Sequence, residues 1–256
     1  MRVEPSHSEE PACDTGYILT NTDVNEPWLF FNGDPIELQD GKPSTQFGMA
    51  SYGSNKLFRL SFRRNINWYS LYAAALRLGD RAVIISARSG IGKTTLSLEL
   101  LSRGARFYGD EFVFIRKNDK FVSGLARCLL IREHTLAMIS DPRLRAVCEV
   151  STPRTRNGDR VWDNIDAGDV FGEDVFAQPA PLSVAIMLER GCGETTTVKQ
   201  IPAALAAVEF IKRVNADMVG FERLADTAGM LAGIPCYRVV GGSPQRTSDA
   251  VEALLR

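Results

Sequence analysis

The chain has 256 residues, 45% of them hydrophobic and 24% charged, values of an ordinary globular protein that exclude a chain dominated by disorder. With 30 lysines and arginines against 31 aspartates and glutamates there is no net field to gather nucleic acid or an anionic bilayer, and neither is expected as a partner. The start lacks the apolar core of a signal peptide and no stretch approaches the roughly 20 apolar residues of a membrane span, so a cytoplasmic location is expected.

Residues 1–66 alternate short apolar or aromatic runs, "YILT", "PWLFFN", "PIELQD" and "KLFRLSF", with the turn formers Asn32-Gly33-Asp34-Pro35 and Asp40-Gly41-Lys42-Pro43. This pattern predicts a small β-rich N-terminal region. Residues 67–256 change to the strand, glycine-rich loop, helix, strand rhythm of an α/β domain with a mixed central sheet and flanking helices. "RAVIIS" (Arg81 to Ser86) is an almost continuous apolar strand, as expected of one buried on both faces. After Lys93, "TTLSLELLSRG" puts Leu96, Leu100 and Leu101 on one side at helical spacing, with Gly104 as the C-cap. A strand "ARFYG" and a hairpin "EFVFIRKNDKFVSG", turning at Asn118-Asp119, follow. Later come a strand "LSVAIMLER", two helical stretches between Pro202 and Ala232, a strand "IPCYRVVG" and a short final helix.

Between the apolar strand and the helix lies "ARSGIGKT", Ala87 to Thr94: a small residue, four positions, then Gly-Lys-Thr. This is the spacing of a phosphate-binding loop, in the strand-before, helix-after context that the motif requires. Gly90 and Gly92 let the backbone turn its N–H groups inward, and the unpaired N–H groups at the helix start add positive potential for phosphate oxygens. Ser89, Gly90, Ile91, Gly92, Lys93, Thr94 and Thr95 are therefore assigned to the phosphates, with Lys93 on the β and γ groups and the Thr94 hydroxyl on magnesium. The implied ligand is ATP with Mg2+.

One helix and one strand later comes "FYGDEFVF". Asp110 and Glu111 are expected at the end of the strand next to "RAVIIS", beside the triphosphate. Adjacent carboxylates suit phosphoryl transfer to a hydroxyl: one helps hold the metal while the other accepts the hydroxyl proton. Asp110 is preferred as the base and Glu111 as the metal helper, with the exchanged roles left open.

The stretch "SGIGKTTLSLELLSRGARFYGDEFVF" resembles the C-terminal kinase domain of the HPr serine kinase family, and more closely its HPr-kinase-related offshoots. Arg103-Gly104 and Asp110-Glu111 occupy the matching places, and the tail "LADTAGMLAGIPCYRVVGG" extends the resemblance from about Ser70 to the C-terminus, leaving the first 65 residues outside it. The resemblance implies an ATP-dependent kinase acting on a serine in a peptide or small protein; some relatives serve peptide-tailoring pathways such as lasso peptides, and others phosphorylate free serine. A small-molecule hydroxyl kinase and a nucleotide-binding regulator are the alternatives, and a homo-oligomer stays open. Two positions depart from the family. Tyr72, in "SLYAAAL", stands where full members carry a histidine that assists transfer and its reversal, and "LLIRE" keeps Arg132 but has leucine at an acidic position, with Glu133 displaced. A tyrosine near pKa 10 does not shuttle protons near neutrality as histidine does, so forward transfer without efficient phosphorolysis is expected.

Other residues carry weaker signals. His134 reads as a structural residue by default. Arg143, Arg145, Arg154, Arg156 and Arg160 read as a solvated segment, with reception of an acidic peptide as the alternative use, and Trp162 or Phe171 could rest against such a chain. Arg190, ending a strand, is a candidate for charge stabilisation. The cysteines Cys13, Cys128, Cys148, Cys192 and Cys236 are odd in number and without CxxC spacing, and read as reduced thiols.

Overall fold

In the computed structural model, residues 18–20, 29–31, 34–35, 68–124, 128–156, 158–191, 193–212 and 222–255 are described. The chain divides into two units, Met1–Ile66 and Asn67–Arg256. In the first, β1 (Ile18–Thr20), β2 (Leu29–Phe31) and β3 (Asp34–Pro35) form an antiparallel sheet in that order. Asp34 and Pro35, read from the sequence as turn formers, are thus strand residues paired to Phe31 and Phe30. The runs "PIELQD" beyond Pro35 and "KLFRLSF", and the turn formers Asp40 to Pro43, lie outside the described residues.

The second unit is built on a mixed sheet, running β4 (Trp68–Tyr72), β8 (Phe112–Arg116), β9 (Phe121–Gly124), β13 (Ala180–Arg190), β6 (Arg81–Ser86), β5 (Ala74–Leu78), β7 (Arg106–Gly109). β15 (Cys236–Gly241) pairs in parallel with β13, and β14 (Thr197–Ile201) pairs antiparallel with β15. As the apolar run predicted, Ala82 to Ser86 are buried without a break, because both faces of β6 are covered. One face carries Val83, Ile85, Ile186 and Leu188 against α1 (Lys93–Ser102) and α7 (Pro244–Ala253). The other sets Ala82, Ile84, Ala185 and Met187 against α5 (Ala203–Lys212) and α6 (Glu222–Leu231). Alternation along each strand sends successive residues to opposite layers.

α1 ends as the sequence predicts: Gly104 is left-handed with φ of 94°, and the N–H groups of Gly104 and Ala105 donate to Leu101 and Leu100. Beyond the main sheet, β10 (Leu129–Arg132), β12 (Asp159–Ile165) and β11 (Arg154–Arg156) make a small antiparallel sheet. The short helices α2 (Glu133–Met138), α3 (Pro142–Val150) and α4 (Ala167–Phe171) accompany it, and Leu129, Ile131, Leu144 and Trp162 join the α1 core. Trp162 is therefore not a surface platform: it is buried and donates its indole N–H to the Cys148 carbonyl at 2.9 Å. Cys128 is exposed, Cys148 and Cys236 are buried, and all three are free thiols, while Cys13 and Cys192 lie outside the described residues. Among the described residues no helix is long and apolar enough to cross a membrane.

Candidate functional site

β6, β13 and β15 run parallel and end at the same edge of the sheet, at Ser86, Arg190 and Gly241. β5 is antiparallel to β6 and β7 is antiparallel to β5, so β7 ends there too, with Gly109 opposite Ala75. The expectation that "FYGDE" follows the strand next to "RAVIIS" is corrected here: β5 stands between them. Two antiparallel steps restore the direction of β6, so both loops still leave the sheet at one edge. Outside the carboxyl ends of parallel strands is where open α/β sheets bind ligands.

At that edge the loop from Ala87 to Gly92 turns into α1. Gly90 and Gly92 have φ of 80° and 115°, left-handed values that a side chain resists, and the Ile91 N–H donates to the Arg88 carbonyl at 3.2 Å. Arg190, at the end of β13, donates to the Gly90 carbonyl at 2.9 Å and so ties the loop to the next parallel strand. Ser89 and Gly90 are exposed, Ile91, Gly92, Lys93 and Thr94 half-buried, and Thr95 buried against Thr135.

The Lys93 ammonium donates to the carboxylate and to the main-chain carbonyl of Asp110. Thr94 Oγ1 donates to the other carboxylate oxygen of Asp110 at 2.5 Å. The pair is largely enclosed, the Lys93 and Asp110 side chains being 11% and 13% exposed. Tyr72, the last residue of β4, is drawn into the same cluster: Lys93 Nζ lies 5.6 Å from its ring centre. Burial, helped by the negative charges of Glu111 and then Asp110, pushes the Tyr72 phenol up to about 12. Glu111 is half-buried and near enough to Tyr72 to act on it in this way. Among the described residues no three His, Cys, Asp or Glu side chains form a metal-binding cluster. Thr94 and Asp110 offer a divalent cation two oxygens, which fits a magnesium ion that completes its shell with phosphate and water.

The remaining candidates separate. Arg103 holds α1 to α7, donating to Glu99 at 3.0 Å and to Asp249 at 2.6 Å. Glu133 is exposed and faces Arg160 at 3.7 Å. Arg143 pairs with Asp141 and covers the Phe171 ring, and Arg154 pairs with Asp163, so these members of the arginine-rich segment are engaged locally. His134, by contrast, lines a cleft of about 300 Å3 that the loop residues Gly90, Ile91 and Gly92 share. Met138, Gly241, Gly242 and Pro244 line it as well. Sequence reasoning passed over this cleft; its signal was the glycine pair that ends "CYRVVGG", directly after a parallel strand.

No protein-family model matches the chain, and no curated protein matches it. Among solved structures, the HPr(Ser) kinase/phosphatase from Coxiella burnetii is similar at a TM-score of 0.35 and 14% identity, over 73% of this chain and 94% of that one.

Proposed function

We propose that this chain is a magnesium-dependent ATP phosphotransferase that delivers the γ-phosphoryl group to a hydroxyl, with a serine of a peptide or small protein as the acceptor. One observation carries the reading: the lysine and the threonine of a glycine-bearing loop at a helix start converge on a single carboxylate, Asp110. The resemblance of "SGIGKTTLSLELLSRGARFYGDEFVF" to the kinase domain of the HPr serine kinase family supports it and is the source of the serine acceptor.

In this reading the loop amides and Lys93 hold the phosphates, and the helix start adds positive potential. Bound Mg2+ supplies charge neutralisation on the β and γ oxygens. Asp110, already sharing its carboxylate between Thr94 and Lys93, belongs to the metal side, which leaves Glu111 as the base. The sequence preferred Asp110 as the base and Glu111 as the metal helper with the exchange left open, and the Thr94 contact favours the exchange. Glu111 accepts the acceptor hydroxyl proton, the oxygen bonds to the γ phosphorus, and the bond to the β–γ bridging oxygen breaks to release ADP. Tyr72, protonated across the neutral range, is a fixed hydroxyl beside the two acids and not a proton carrier.

The test is label transfer from γ-labelled ATP to a panel of serine peptides, free serine and sugars, with and without Mg2+. Labelled phosphoserine is expected, with Lys93→Ala abolishing it and Glu111→Gln lowering kcat about 100- to 10,000-fold. Undiminished ATP affinity in both Lys93→Ala and Thr94→Ala would remove the basis of the assignment. Labelling of free serine or a sugar alone would make this a small-molecule kinase. Tyr72 in the family's histidine position favours a second reading, a nucleotide-binding regulator, whose signature is tight ATP binding with neither transfer nor hydrolysis.

A further inference from the structure

Thr94 meets Asp110, while Gly90, Ile91 and Gly92 of the same loop, with Thr95 and Leu96 of α1, line the cleft of about 300 Å3. The loop that would hold a triphosphate at Lys93 and Asp110 is therefore also a wall of this cleft. The volume falls at the lower end of the roughly 300–1,000 Å3 usual for small-molecule sites.

The walls are unlike one another. One is a backbone surface: Gly241 and Gly242 leave β15 and enter Pro244, the first residue of α7. Gly242 packs its backbone against residue 194, where a Cβ would lie 2.1 Å from the Glu194 carbonyl oxygen, so that turn carries no side chain at this position. The facing wall is α2. His134 and Met138, four residues apart, point to one side of it, and Met138 is 42% exposed, a large apolar side chain left without cover.

We infer that this cleft is the nucleoside subsite of the triphosphate site, with a purine ring held between the His134–Met138 face of α2 and the Gly241-Gly242-Pro244 turn. The inference rests on the ATP reading given above. An imidazole and a thioether one helical turn apart, about 5–6 Å between Cβ atoms, present one continuous face that a bicyclic base covers more fully than a single ring does. The glycine surface offers main-chain groups to the edge of the base, and ribose lies over the loop near Thr95.

Calorimetry with magnesium ATP, magnesium CTP and magnesium tripolyphosphate separates the subsite from the phosphate site. Wild-type protein is expected to bind ATP more tightly than tripolyphosphate and than CTP. His134→Ala and Met138→Ala, both at exposed positions, are expected to weaken ATP by about 5- to 100-fold, the range seen when a base loses a stacking partner, and to leave tripolyphosphate unchanged. ATP binding no tighter than tripolyphosphate, or both variants binding ATP as wild type does, would overturn the subsite while the phosphate site stands. Equal affinity for CTP and ATP would overturn the purine assignment. Failure of both ATP and tripolyphosphate to bind would overturn the ATP reading and this inference with it.

Discussion

Lys93 and Asp110, 17 residues apart and on either side of a strand that belongs to neither, are joined through the lysine ammonium and both a carboxylate and a main-chain oxygen. In the free protein the aspartate neutralises the charge that the loop would otherwise present to phosphate, so binding must exchange one anion for another.

From this exchange comes a prediction for Asp110→Asn. The amide keeps an oxygen for the Thr94 hydroxyl but carries no charge to compete for Lys93 or to hold a cation. ATP without magnesium should bind as well as to wild type or several-fold better, and the gain on adding Mg2+ should be lost. Titration calorimetry with and without Mg2+ reads both effects, and an intact magnesium increment would show that Asp110 is not a metal ligand.

Tyr72 supplies a second expectation. Its phenol is pushed up to about 12, so it does not titrate where the enzyme would work, and the rate profile between pH 6 and 9 should lack a step that Tyr72→Phe removes. Tyr72→His should introduce a group that titrates near 6.5 and should raise phosphate-driven release of pyrophosphate from a phosphoserine product. Strong phosphorolysis by the wild type would contradict this account.

Alkaline stability follows from buried acids. Burial pushes Tyr108 and Tyr72 from 10.0 up to about 12, and Cys236 from 9.0 up to about 11. The folded protein then binds more protons than the unfolded chain between pH 9 and 12. Stability is therefore fully present below about pH 9 and falls as pH rises through that window. Tyr108 also donates to the Gln178 carbonyl at 2.8 Å. Tyr108→Phe should lower stability near neutrality by about 1 kcal/mol through that lost bond and flatten the decline between pH 10 and 12, as urea unfolding at stepped pH would reveal.

Gly124, ending β9, makes a structural prediction. A Cβ there would lie 2.2 Å from the main-chain oxygen of Tyr108 and 2.5 Å from its carbonyl carbon, where no flexible side chain can yield. Gly124→Ala should cost about 1–3 kcal/mol or more and loosen the strand that leads into Asp110. Thermal unfolding together with nucleotide binding would detect both, and a midpoint within a degree of wild type would contradict the close approach.

Much of this was legible in the chain itself. The strand "RAVIIS", the glycine bend, the helix after Lys93 and the hairpin turning at Asn118-Asp119 are local: spacing, left-handed glycines and a two-sided apolar run determine them within a few residues. The identity of Lys93, Thr94, Asp110 and Glu111 as chemical candidates came from the same short-range rules. What local rules do not carry is which strands become neighbours. β5 inserts between β6 and β7, a pairing set by burial of Ala74 to Leu76 on both faces of the sheet, and only two successive antiparallel steps return Asp110 to the edge where Lys93 waits. Trp162 reads in sequence as a candidate surface, and the α1 core claimed it. The cleft joins residues of the glycine loop and α1, of α2, of the end of β13 and of the turn after β15, segments far apart in the chain. A site assembled from four chain segments exists only once parallel strands bring their carboxyl ends to one edge, because hydrogen-bond register and side-chain burial, not sequence distance, decide which residues meet there.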